Sequence, residues 1–347
     1  MTTTKALVTP KPSGAFEKGE VPLREMGPYM VAIAIKYSGI CHSDIHQVRD
    51  EWFEGIFPMV PGHEIVGEVT AVGSAVKDFK VGDRVGVGTF VDSCRKCAQC
   101  LAGNENFCRN GNVQTYNGRH YDGEPTYGGY AKDVVVDQNY VLHVPENIDL
   151  AASAPLLCAG ITVYTPLKHW GVKSGMKIGV IGLGGLGHMA VKFAHAMGAE
   201  VYVLGRSKSK AEDAKAMGAK DYLITSEIYQ SHQNYFDLLL NTTSADLDLD
   251  NLIGTLNVGG TLVYLGISGT PQNFHAMNLL TSLRSISGIN TGNIKDTQEM
   301  LNFCGTHNIV SDIELLDATD ASAIDKAYER VVASDVRYRF VIDASTI

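Results

Sequence analysis

Four cysteines, Cys94, Cys97, Cys100 and Cys108, crowd into fifteen residues at CxxCxxCx7C spacing. Four soft thiolates this close suit a tetrahedral zinc ion whose shell they close, with no position left for a reactant. Such an ion is structural: it holds a loop too poor in apolar residues to fold by burial, because binding energy becomes folding energy. A disulfide or a set of free thiols is the other reading of the same residues. It fits less well in a large chain expected to be cytoplasmic, whose opening MTTTKALVTPKPSG carries no apolar h-region.

A second group of reactive side chains is scattered. GICHSDIH supplies Cys41, His42, Ser43, Asp44 and His46; VPGHEIVGEV supplies His63 and Glu64; PLLCAGITVY supplies Cys158. Thiols, imidazoles, a hydroxyl and carboxylates are the groups that ligate metals and move protons, but this spacing does not join them. Taken singly, Cys158 in an apolar helix reads as packing, Ser43 as a turn hydroxyl and His46 as a surface histidine.

The third constellation is MKIGVIGLGGLG, Met176 to Gly187. An apolar run ends at Gly182, and Gly182, Gly184 and Gly187 stand at GxGxxG spacing before a helical pattern. Strand, tight turn and helix N-terminus together cradle the pyrophosphate of a dinucleotide. The next strand, Glu200 to Leu204, follows at βαβ distance and leads to Gly205, where an NAD-binding fold usually has Asp or Glu. Arg206, Ser207, Lys208, Ser209 and Lys210 come next. Arg206 can bond a 2′-phosphate in a planar fork, Ser207 can donate a hydroxyl, and Lys208 and Lys210 add charge. Three cations at a helix start oppose its dipole and ask for an anion. The cofactor expected is therefore NADP(H).

These residues need elements to hold them. Met30 to Ile35 reads as a strand, and short valine-rich runs punctuated by Gly67, Gly73, Gly82, Gly86 and Gly88 suggest strands closing into a small barrel. Near Leu150 the pattern turns helical and alanine-rich, which sets a domain boundary. Beyond it, strands at Ile178 to Ile181, Val201 to Leu204, Tyr222 to Ile224, Phe236 to Asn241, Thr261 to Leu265 and Ser285 to Ile289 make the six of a doubly wound fold. MGA recurs at Met197 to Ala199 and Met217 to Ala219, each glycine stopping a helix. The segment from Asn293, ending in RYRFVID, returns to the first domain. The expected division is 1–149 with 293–347, and 150–292.

GHE at Gly62 to Glu64, the four-cysteine loop and GLGGLG, in this order, resemble the zinc-dependent medium-chain alcohol dehydrogenases, and among them the cinnamyl alcohol dehydrogenase-type aldehyde reductases. The match runs from about Val31 to the end of the chain. It implies an α/β protein with a GroES-like β-barrel catalytic domain and a Rossmann cofactor domain. By position it makes Cys41, His63 and Cys158 the ligands of a catalytic zinc, a Cys2His site of the kind alcohol dehydrogenase exemplifies, so that each chain holds two zinc ions. Glu64 would lie behind that metal and Asp44 would orient His63. Ser43 becomes the proton relay beside the substrate oxygen and His46 its solvent end. His42, Thr162, Gly185 and Leu186 join the glycine turn at the cofactor, with Arg337 or Arg339 at its pyrophosphate. Trp52, Phe90 and Gln114 become candidate walls of an apolar substrate pocket. A homodimer is implied as well.

The reaction expected is hydride transfer between NADP(H) and a small alcohol or aldehyde, chiefly aldehyde reduction. Net charge of −9 with no basic run points away from nucleic acid, and no stretch approaches the roughly 18 apolar residues of a membrane span. A polyol dehydrogenase on the same scaffold is the nearest alternative, though Cys158 stands where those enzymes commonly have Glu. A non-catalytic NADP(H)-binding module is another, against which Ser43 and His46 weigh. His120, His143, His188 and Cys304 receive no role.

Overall fold

The structure, a computed structural model, describes residues 2–347. The chain divides into two compact units: one runs to Ile161 and resumes over Gly292–Ile347, and the other is Thr162–Thr291. The boundary read at Leu150 falls earlier than this one, for a packing reason. Asp149 caps a short helix, Leu150–Ser153, by accepting from the N–H of Ala152. That helix and the turn Ala154–Leu157 are buried in the first unit, and the chain leaves it inside helix Ala159–His169.

The first unit is built on a seven-stranded sheet whose longest member is Met30–Gly39. Ile65–Val72 lies on one side of that strand, continuing to Arg84–Val87 and Leu142–His143. Arg339–Asp343 and Asp133–Asp137 lie on the other, with Ile313–Asp317 beyond Arg339–Asp343. Two register shifts between Met30–Gly39 and Ile65–Val72 bend the pair. Alternation does the rest: Val31, Ile33 and Ile35 face one apolar core with Ile65, Val69, Val85, Phe340 and Ile342. The C-terminal return read from RYRFVID is a strand laid antiparallel against Tyr37, Ser38 and Gly39.

In the second unit six parallel strands stand in the order Asp221–Ile224, Glu200–Gly205, Lys177–Ile181, Phe236–Asn241, Leu256–Tyr264, Ser285–Gly288. Lys177–Ile181 and Phe236–Asn241, at the centre and buried on both faces, read as apolar runs rather than alternations. The sheet reverses between Lys177–Ile181 and Phe236–Asn241, the switch point at which doubly wound folds bind ligands, and the glycine turn sits at that end. The fifth strand starts five residues before Thr261, through a register irregularity opposite Phe236 to Leu238. Gly198 and Gly218, at φ +85° and +103°, end their helices in a backbone conformation that glycine adopts freely. Among the described residues no single helix is long and apolar enough to cross a membrane.

Candidate functional site

Asp44 organises the first ligand cluster. Its Oδ2 accepts the N–H of Cys41 at 2.8 Å, which starts helix His42–Val48 immediately after that cysteine. Oδ1 accepts from Nδ1 of His63 at 3.0 Å and from the N–H of Gly62 at 3.3 Å. The Tyr130 hydroxyl donates to Oδ2 at 3.2 Å and receives one from Tyr328 at 3.3 Å. With Nδ1 committed, Nε2 is the His63 nitrogen free to ligate. Gly62, at φ +106°, must be glycine, because a Cβ there would lie 2.6 Å from the Tyr130 ring.

Cys158, at the end of the turn Ala154–Leu157, brings its Sγ to 3.9 Å from Cys41 Sγ. Ligand atoms of Cys41, His63, Glu64 and Cys158 lie within 4.8 Å of one another, and all four residues are buried. Glu64 binds Arg339 through Oε1 only; its Oε2 is buried with no hydrogen-bond partner, in space left because residue 39 is glycine. Burial pushes the Glu64 carboxyl up to about 7 against the pull of Arg339. Two thiols, an imidazole nitrogen and an orphaned carboxylate oxygen are a donor set that fits zinc, and the unpaired oxygen is costly without a cation nearby.

Around this cluster the expected residues fall into different places. Ser43 Oγ is 3.5 Å from Cys41 Sγ. The His46 ring lies between those of His42 and Trp52, at centroid distances of 5.0 and 4.4 Å, and its Nδ1 meets Glu51 Oε2 at 2.5 Å. Glu51 was not foreseen; only its position five residues after His46, just past a short helix, hinted at it. The three expected pocket residues differ in their surroundings. Phe90 is a core side chain, 3% exposed and edge-on to Tyr140, while Gln114 is exposed and donates to Asn112. The two stand directly opposite one another in paired strands, yet Phe90 is buried and Gln114 is exposed. Of the three, Trp52 stacks on His46. Of the two arginines, Arg339 is engaged by Glu64, whereas Arg337 is exposed.

The second cluster is local. Cys94, Cys97, Cys100 and Cys108 bring their sulfurs within 4.8 Å of one another between the paired strands Phe90–Asp92 and Val113–Gln114. Backbone N–H groups donate to sulfur: Cys97 to Cys94 at 3.3 Å, Arg109 to Cys97 at 3.4 Å and Cys94 to Cys108 at 3.4 Å. Donors from Cys100 and Arg109 draw the Cys97 thiol down to about 6, which favours the thiolate a metal needs. All seven cysteines are free, and Cys304 is a core residue.

In the second unit Gly182 takes φ +89°, and a Cβ on Gly187 would come within 2.2 Å of the Gly182 carbonyl oxygen. No described atom lies within 4 Å of a Cβ built on Gly184, so the backbone there is open to close approach by a ligand. Gly185 and Leu186 lead into helix Gly187–Ala196, and His188 Nδ1 meets the Gly184 carbonyl at 3.1 Å, a bracing role the sequence did not reveal. Arg206, Ser207 and Lys208 are exposed; Lys210 instead donates to the Leu183 carbonyl at 2.9 Å and ties the basic segment to the glycine turn. The helix-dipole argument for these cations needs correction. Arg206 precedes a short turn, Lys208–Lys210, that holds the two lysines, and the helix that follows, Ala211–Ala216, opens with its own Glu212 and Asp213. Thr162 Oγ1 donates to the Asn290 carbonyl at 2.9 Å.

Two family models match the chain: the alcohol dehydrogenase GroES-like domain over residues 27–146 and the zinc-binding dehydrogenase domain over residues 185–306. The chain is 51% identical over 346 residues to the probable formaldehyde dehydrogenase AdhA of Bacillus subtilis (strain 168), covering 99% of this chain and 98% of that one. It is 50% identical to the NADP-dependent alcohol dehydrogenase C of Mycobacterium bovis, with all of both chains covered. Among solved structures, the cinnamyl alcohol dehydrogenase of Helicobacter pylori complexed with NADP(H) superposes with a TM-score of 0.92 at 41% identity, covering 99% of each chain.

Proposed function

The chain belongs to the zinc-dependent medium-chain alcohol dehydrogenase family and is an alcohol/aldehyde oxidoreductase, and we propose that it works chiefly as an NADPH-dependent reductase of apolar and aromatic aldehydes. The convergence of Cys41, His63, Glu64 and Cys158 within 4.8 Å carries the reading. Cys41, His63 and Cys158 hold the catalytic zinc and Cys94, Cys97, Cys100 and Cys108 the structural one, two per chain. When bound, zinc supplies a Lewis acid that polarises the substrate carbonyl, and NADPH supplies the hydride.

The protein's own side chains do the rest. Asp44 fixes the tautomer of His63, and the Arg339 charge holds the Glu64 carboxylate beside the ligands. Ser43 Oγ gives its proton to the product oxygen and is recharged through His46. Glu51, hydrogen-bonded to Nδ1, orients the His46 ring so that Nε2 faces the proton path. Trp52 gives the site an apolar wall. The glycine turn takes the pyrophosphate, with Gly182, Gly184, Gly185, Leu186 and Gly187 supplying backbone. Arg206, Ser207 and Lys208 take the 2′-phosphate, and His42, Thr162 and Arg337 complete the cofactor contacts. Lys210 acts from behind, through the Leu183 carbonyl.

Assembly as a homodimer in the cytoplasm completes the proposal. Ser285–Gly288 is an edge strand, and Val258, Ile267, Met277, Leu280 and Leu283 of the same unit are 60–80% exposed, an apolar set that a second copy would cover. The test is a panel of aldehydes and alcohols assayed with NADPH and NADH, beside elemental analysis of protein purified without chelator. Faster aldehyde reduction with NADPH and two zinc ions per chain support the reading. One zinc or none, or a clear preference for polyols, overturns it.

A further inference from the structure

Gly205 ends strand Glu200–Gly205 at the position where NAD-binding folds place the acid that takes the ribose hydroxyls. Its φ is not in the left-handed region, so no backbone demand explains the glycine. Space does. A Cβ built on Gly205 would lie 1.9 Å from the Tyr222 hydroxyl oxygen and 2.6 Å from its ring carbon Cζ. Tyr222 belongs to the neighbouring parallel strand, Asp221–Ile224, opposite Val203. Its side chain therefore shares a face with that of residue 205 and leans along the strand toward it. The ring is 8% exposed and packed, and the hydroxyl bonds to no described residue, yet it is not among the buried orphaned atoms. It is a donor at the edge of the sheet, directly before exposed Arg206, Ser207 and Lys208.

We propose that Tyr222 selects the cofactor: its phenol fills the volume into which an NAD-type carboxylate at position 205 would have to grow, and its hydroxyl donates to the 2′-phosphate of NADP(H). The proposal rests on the NADP(H) reading above and adds a residue from a different strand to it. The basic cluster attracts the phosphate, whereas Tyr222 excludes the alternative. An acid introduced at residue 205 meets the phenol before it meets a ribose, and exchanging Gly205 and Arg206 alone does not convert the enzyme.

Calorimetric titration of the zinc-loaded protein with NADPH, NADH, adenosine 2′,5′-bisphosphate and 5′-AMP, paired with steady-state kinetics, tests this on the wild type and on Tyr222→Phe, Gly205→Asp and Gly205→Asp/Tyr222→Ala. Tyr222→Phe is expected to weaken NADPH and the bisphosphate about tenfold, as loss of a hydrogen bond to a charged group does, with the affinities for NADH and 5′-AMP unchanged. Gly205→Asp should lose NADPH without gaining NADH, and the double variant should gain NADH. A silent Tyr222→Phe removes the donor, and a Gly205→Asp that alone turns preference to NADH removes the exclusion; either overturns the proposal. Should Gly205→Asp fail to fold, Tyr222→Phe decides the matter. A wild type that binds NADH more tightly than NADPH has a different signature: it fails the cofactor reading itself, and the selecting role of Tyr222 with it.

Discussion

One buried carboxylate, that of Asp44, receives donors from Cys41, Gly62, His63 and Tyr130. Exchanging it for Asn keeps the shape but turns one acceptor into a donor facing other donors, at a cost of about 1–3 kcal/mol. Asp44→Asn is therefore expected to fold with a lower denaturation midpoint and to retain about one zinc per chain instead of two, because His63 loses the partner that holds its tautomer. Elemental analysis and urea denaturation check both halves; full zinc content would contradict the role given to Asp44. Ser43→Ala should leave zinc content and stability unchanged while kcat falls on the order of a hundredfold, the usual loss with a positioned proton donor. At this scale legibility depended on distance along the chain. The ligands at Cys94 to Cys108 could be read from spacing, since one loop holds them all. Cys41, His63 and Cys158 could be grouped only through a family resemblance, and Tyr130, Tyr328 and Tyr222 not at all, because their partners lie across strands and turns that no periodicity brings together.

The cysteine loop shows what an element without a core requires. Its helix Ala98–Leu101 buries no residue, and Leu101 and Phe107 are 75% and 52% exposed. Removing zinc with a chelator should open this loop while the seven-stranded and six-stranded sheets persist. Limited proteolysis is expected to cut first between residues 94 and 109, and Cys97→Ser should cut there even without chelator. Equal protection in both states would mean that the loop is held by something other than metal. The central parallel strands were readable as apolar runs because both of their faces are covered, and the glycine turn because its backbone geometry restricts the residue type. The fifth strand's start was hidden by Asn257 to Gly260, whose polar and glycine residues look like a turn and form the irregularity between the paired residues Leu256 and Thr261. The domain boundary was misplaced for a related reason: a helical, alanine-rich composition at Leu150 marks a change of element, which here is not a change of unit.

The whole molecule carries a net charge of −9, so an anionic cofactor meets an adverse field everywhere except at local basic groups such as Arg206 and Lys208. Added salt screens both the repulsion and this attraction, and the extra phosphate of NADPH feels the attraction more. Raising ionic strength from about 0.02 to 0.5 M should weaken NADPH binding several-fold more than NADH binding; equal weakening would argue against a cationic phosphate site. Light scattering is expected to give twice the chain mass, and Leu283→Arg, at a side chain 80% exposed, to shift the protein toward a monomer with its zinc retained. The discontinuity of the first unit has a further consequence, in time. Strand Arg339–Asp343 leaves the ribosome long after Tyr37 to Gly39, yet it closes on them and delivers Arg339 to Glu64. With the proposed ligand sets, the cysteine loop can capture an ion before that strand is made, whereas the site of catalysis gains its closing strand only afterwards. Translation would thus set an order on metal loading: a nascent chain halted before Arg339–Asp343 is expected to hold its structural anchor but not its finished active site.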